Sequence, residues 1–151
     1  MSRTSMSASQ NQNQSNNPFH VLIVDDDHVV VETIRSALTG EGFTVSVATD
    51  GNQGVAYVEA KKPDLLILDI MMPRRSGFLV LERLRQFSDD PIPIIMITGN
   101  EGSRHQDYAE MLGVSDYIHK PFTMERLISS VSDLLNDRES RQVSQAPKHG
   151  A

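Results

Sequence analysis

Apolar residues along this chain fall into short, well-separated runs, and the stretches between the runs follow a different period. The runs are His20 to Val24, Phe43 to Val47, Leu65 to Leu68, Ile92 to Ile97 and the shorter pair Tyr117 and Ile118. Runs apolar throughout predict strands buried on both faces, as in a parallel sheet. The second run alternates (Phe-Thr-Val-Ser-Val), as a strand nearer a sheet edge does. Between the runs the spacing turns helical. Val30, Ile34, Ala37 and Leu38 form one stripe, and Leu127, Val131, Leu134 and Leu135 form another.

Punctuation supports this division. Gly40 and Gly42 follow the first helix and Gly113 follows the fourth, while Ser103 with Gln106 has the spacing of a capping box. Five strand–helix units within about 120 residues predict an open α/β sheet with helices on both faces. Residues 1–17 are mostly Ser, Asn and Gln, 12 of the 17, and cannot bury enough apolar surface to offset chain entropy. Residues 137–151 hold one sizeable apolar residue, Val143, and read as a second flexible tail. The folded domain is therefore expected over 18–136.

Composition narrows the function classes. Lys and Arg total 14 against 20 Asp and Glu, a net charge of 14 − 20 = −6, so no electrostatic footprint for nucleic acid or an anionic membrane is present. Absence of Cys removes disulfides, thiolate catalysis and Cys-based metal sites. No apolar run approaches the roughly 18 residues of a membrane span, and the first residues carry no secretory signal. The expectation is a soluble, cytoplasmic protein.

In an open parallel sheet, ligands bind beyond the carboxyl ends of the strands. Asp25, Asp26 and Asp27 follow the first run, Asp69 ends the third, Thr98 ends the fourth, and Lys120 follows the fifth. Several carboxylates together are costly unless a cation neutralises them or some take up protons. Carboxylate oxygens suit a hard divalent ion, a lysine adds a point charge for a phosphoryl oxygen, and one carboxylate can act as nucleophile. Singly, each residue has a plain structural role. Asp27 reads as a helix N-cap, Asp69 as a turn residue, Thr98 as a strand end and Lys120 as a solvated charge. Each standing at the end of a strand in one ordered unit is what accident does not explain.

Four segments carry a resemblance. Val21 to Asp27, Asp64 to Pro73, Ile95 to Gly99 and Asp116 to Phe122 closely resemble the receiver domains of bacterial response regulators, with the family's order, from about Phe19 to Leu135. The resemblance implies a (βα)5 doubly wound sheet with the flavodoxin-like strand order 2-1-3-4-5. It implies Asp69 as phosphoacceptor and Asp25 and Asp26 as the acidic pair holding Mg²⁺ or Mn²⁺, Asp25 through water, with the Met71 carbonyl as a further ligand. It implies Thr98 and Lys120 as phosphoryl contacts, Gly99 as the residue keeping the pocket open, Tyr117 as the aromatic switch, and Pro73 and Gly77 as loop-shaping residues.

The donor implied is a phosphohistidine on a histidine kinase or histidine phosphotransfer protein, with Val29 on the first helix as a docking candidate. Output is expected by protein contact through the face of the fourth helix, fifth strand and fifth helix, without a DNA-binding domain. Thr98 moving to the phosphoryl group would vacate space for the Tyr117 ring. Met71 and Asn100 flank the approach of hydrolytic water, and their character predicts a long-lived phosphorylated state. The protein is not expected to be an enzyme beyond its own phosphotransfer and dephosphorylation. Three rivals fit less well. A flavodoxin-like cofactor binder would need a phosphate-cradling loop where the three Asp stand. An aspartyl-nucleophile hydrolase usually places its nucleophile after the first strand. A docking-only receiver usually lacks a pocket residue.

Overall fold

The computed structural model describes residues 19–70, 77–87, 92–99 and 103–145. Five strands, β1 (His20–Val24), β2 (Thr44–Ala48), β3 (Leu65–Asp69), β4 (Ile94–Thr98) and β5 (Asp116–His119), form one sheet in the order β2-β1-β3-β4-β5, every pair parallel. Five helices connect and follow them: α1 (His28–Gly40), α2 (Gly51–Lys61), α3 (Gly77–Phe87), α4 (Ser103–Met111) and α5 (Met124–Gln145). This is the doubly wound order implied above. The alternating second run is the edge strand β2, half-buried along most of its length.

Strand side chains alternate between two cores, one on each face. Leu22, Leu66, Leu68, Ile94 and Met96 pack with Val55, Val80, Leu81 and Ala109 from α2, α3 and α4. Val21, Ile23, Leu65, Ile67, Ile95 and Ile97 pack with Val31, Ile34 and Leu38 of α1 and Leu127, Val131 and Leu135 of α5. Both faces are covered, which explains why the central runs are apolar at every position.

Three expectations change. On α1 the buried stripe begins at Val31, and Val30 and Ala37 lie half-buried beside it. Three successive valines leave the helical phase open, and the Asp27 cap settles it. The positive φ (95°) after α1 belongs to Gly42, whereas Gly40 is still helical. Gly42 N–H donates to Thr39 O and Phe43 N–H to Leu38 O, a Schellman closure that brings Phe43 and Leu38 into one core. Finally, α5 runs through Gln145, so a tail beginning at residue 137 is corrected. Neither Gly nor Pro interrupts the chain there, and Arg138 Nη1 donates to the Asp64 carbonyl at 3.1 Å, tying the helix to the start of β3.

The side chain of Ser103 lies outside the described residues, and Gln106 donates to Glu110 at 3.1 Å, on its own helix. No described helix is long and apolar enough to cross a membrane.

Candidate functional site

The sheet register gathers the chemistry at one edge. Val24 is paired with Leu68, so Asp25 stands beside Asp69. Asp69 is paired with Ile97 and Thr98 with His119, which brings Thr98 and then Lys120 to the same edge. Asp25 (2% exposed), Asp69 (5%) and Thr98 (0%) are buried, whereas Asp26 is exposed. One carboxylate oxygen from each of Asp25, Asp26 and Asp69 lies within 4.8 Å of the others. The Lys120 ammonium is 3.9 Å from Asp69 Oδ2, and Lys120 N–H donates to the Thr98 carbonyl at 2.7 Å.

Asp25 is held from both sides: its own N–H donates to Ala48 O, and its Oδ1 accepts from Asp27 N–H at 2.9 Å. Its carboxyl is raised to about 7, chiefly by burial and also by the Asp69 carboxylate, while the Asp27 N–H and Lys120 pull the other way. An anionic pocket this poorly balanced is what a divalent cation relieves, and the all-carboxylate donor set suits Mg²⁺ or Mn²⁺. Asp27 itself caps α1, its Oδ1 accepting from Val29 N–H at 3.0 Å and Val30 N–H at 3.3 Å. That was the plain role assigned to it from sequence.

Two glycines position the pocket. A Cβ on Gly77 would lie 2.7 Å from both Asp69 O and Ile70 Cα, so only glycine lets α3 press against the end of β3. A Cβ on Gly54 would lie 2.8 Å from Val24 Cγ2, and this glycine seats α2 under the residue that precedes Asp25. Gly54 was not foreseen; its only sequence signal is a glycine inside a helical stretch. At Gly99 a Cβ would meet nothing within 4 Å among the described residues.

The Tyr117 ring is buried (9% exposed) in the core shared with α3 and α4. The hydroxyl is buried and, among the described residues, makes no hydrogen bond of proper geometry. Burial pushes its pKa up, and the nearby Thr98 side chain offsets part of that rise. Val29, on the helix that starts beside the acidic cluster, is 76% exposed. Met71, Pro73 and Asn100 lie outside the described residues.

The residues from 21 to 132 match the model of the response regulator receiver domain. The chain belongs to the response-regulator receiver family. Receivers of this kind are domains of two-component response regulators. This one is 36% identical over 118 residues to the response regulator MprA of Mycolicibacterium vanbaalenii, covering 78% of this chain and 51% of that protein. It is 37% identical over 115 residues to MprA of Mycobacterium ulcerans, covering 76% and 49%. The chain thus spans about half the length of these relatives. In structure the receiver resembles a CheY-like response regulator receiver domain protein from Methanospirillum hungatei, with a TM-score of 0.78 and 26% identity over 83% of this chain and 99% of that one. It likewise resembles the BeF3-activated receiver domain of Klebsiella pneumoniae RstA, with a TM-score of 0.71 and 28% identity over 77% and 97%.

Proposed function

We propose that this receiver accepts a phosphoryl group on Asp69 from a phosphohistidine of a histidine kinase or histidine phosphotransfer protein. One observation carries the reading: a buried carboxylate at a strand end faces an ammonium 3.9 Å away and shares a carboxylate cluster with Asp25 and Asp26. In the transfer an Asp69 oxygen forms a bond to phosphorus, the N–P bond breaks, and its electron pair returns to the imidazole. Lys120, 3.9 Å from Asp69, would neutralise charge on a phosphoryl oxygen, and the Thr98 hydroxyl would donate to another. Asp25, Asp26 and Asp69, with the Met71 carbonyl that the family resemblance adds, would hold a Mg²⁺ or Mn²⁺ ion, which would supply further positive charge for the phosphoryl oxygens. Water later hydrolyses the acyl phosphate, so the protein turns over nothing but its own phosphoryl group.

Val29 is the proposed anchor for the donor protein, because an apolar side chain this exposed stands one turn from the carboxylate cluster. Val29→Asp is expected to slow transfer from the phosphohistidine donor several-fold or more and leave labelling by acetyl phosphate intact. Loss of both together would assign Val29 to the pocket and not to docking. Output is proposed through the face of α4, β5 and α5, where Arg126 and Ser130 of α5 both donate to Asp116 at the start of β5.

The test of the reading itself needs only a small donor. Incubated with acetyl phosphate and Mg²⁺, the protein should take up one phosphoryl group; omitting Mg²⁺, or Asp26→Ala, should reduce uptake to background. Uptake indifferent to both would overturn the reading.

A further inference from the structure

We propose that the Arg85 guanidinium is a clamp that fixes the C-terminal end of α4 and makes that end the pivot about which the helix moves. The inference deepens the function proposed above and rests on it only for the signal that moves the helix.

Among the described side chains of α4, Ala109 alone is buried, whereas α1 buries Val31, Ile34 and Leu38 and α5 buries Leu127, Val131 and Leu135. An element with so little apolar anchorage belongs to the low-stability end of a fold and needs another hold. The hold lies at one end. Gly113, at φ 81°, closes the helix: its N–H donates to Glu110 O and Val114 N–H to Ala109 O. The carbonyls this closure leaves over turn to α3. Arg85 Nε donates to Leu112 O at 2.9 Å and Nη2 to Gly113 O at 2.7 Å, while Nη1 reaches Ile92 O at 3.5 Å, the limit for such a bond.

The geometry is specific to arginine. Two successive carbonyls are met by adjacent donors of one planar fork, an arrangement that a single ammonium does not reproduce. A positive group at a helix C-terminus is also favoured by the helix dipole. Burial pulls the Arg85 pKa below its ordinary value, so the guanidinium is partly desolvated and depends on these oxygens. Elsewhere α3 meets α4 through the Phe78 ring against His105 and Tyr108, with ring centres 5.5 and 5.2 Å apart, and through Glu82, which accepts a hydrogen bond from the Tyr108 hydroxyl at the surface.

At its other end α3 is wedged against the phosphoacceptor strand through Gly77. Eight residues separate Gly77 from Arg85, about 12 Å of helix. One rigid element therefore rests on the backbone of Asp69 and grips the far end of α4, while the near end of α4 follows Thr98 and Gly99 in the chain. A shift at Thr98 and Gly99 is then read as a swing of α4 about Leu112 and Gly113, not as a translation.

Amide hydrogen exchange on the full chain tests the clamp without phosphorylation. In Arg85→Lys, exchange at Leu112, Gly113 and Val114 should quicken about tenfold or more, with the amides of β1 and β4 unchanged. Arg85→Ala should do the same or more, and if it fails to fold the lysine variant decides. Unchanged exchange at those three amides overturns the clamp. So does an equal rise in the strands, which would make Arg85 a general stabiliser. Beryllofluoride with Mg²⁺ tests the pivot. In the parent, shift changes should be large at His105 and small at Gly113, and in Arg85→Lys they should reach Gly113. Changes as large at Gly113 as at His105 in the parent overturn the pivot. A parent spectrum untouched by beryllofluoride overturns the phosphoacceptor reading instead, and exchange alone then decides the clamp.

Discussion

Gly77 and Gly99 flank the same pocket and differ in what surrounds them. A methyl group at position 77 would overlap two backbone atoms of the phosphoacceptor segment, whereas at position 99 it would meet none of the described residues within 4 Å. Gly77→Ala is expected to lower unfolding stability by about 1–3 kcal/mol and to impair labelling of Asp69. Gly99→Ala should leave stability within about 0.5 kcal/mol of the parent. Urea denaturation of the pair checks both, and equal costs would show that the crowding around Gly77 is relieved by easy movement. Asp25 gives a pH dependence of definite sign. Its carboxyl is raised from 3.8 to about 7, so between those values the folded chain binds more protons than the unfolded one. In metal-free protein its contribution to stability is therefore present at low pH and lost as pH rises through 7. Mg²⁺ needs the carboxylate, so apparent affinity should rise about fivefold between roughly pH 6 and pH 7 and level off above about pH 8. Affinity flat across that range, measured by calorimetry, would contradict the assignment.

At the scale of elements, the strand ends and the buried stripe of α5 were legible in the sequence, and the phase of α1 was not. An apolar run that stops at Asp25, Asp69 or Thr98 marks both a strand and its chemically active edge, because a parallel sheet covered on both faces allows no polar residue until the run is over. Val29, Val30 and Val31 offer no such boundary. Any of them could lead the buried stripe, and only the Asp27 cap and the packing on β1 choose Val31. The position of the Tyr117 ring was likewise invisible, since burial of one side chain beside Thr98 is a matter of packing and not of pattern. That burial leads to a prediction for β5. With its hydroxyl buried and lacking a well-formed hydrogen bond, Tyr117→Phe should cost little or gain up to about 1 kcal/mol in the unphosphorylated protein. A loss of about 2 kcal/mol in thermal or urea unfolding would show that the Thr98 hydroxyl is a true partner.

For the whole molecule, the central claim is that four strand ends, those of β1, β3, β4 and β5, assemble one phosphoryl-accepting pocket whose nucleophile is Asp69. The strand order and register needed for it are in place, and the carboxylates, the hydroxyl and the ammonium meet at one edge. The long helix α5 closes the opposite core and is tied to the start of β3 by Arg138, so the pocket is built on a sheet braced from both faces. The most direct measurement identifies the bond itself. The protein is phosphorylated with acetyl phosphate and Mg²⁺, reduced with borohydride to convert an aspartyl phosphate to homoserine, digested, and mapped by mass spectrometry. The account predicts reduction at Asp69 alone, abolished by Asp69→Ala. Conversion at any other aspartate in the parent, or undiminished uptake by the Asp69→Ala protein, would contradict it.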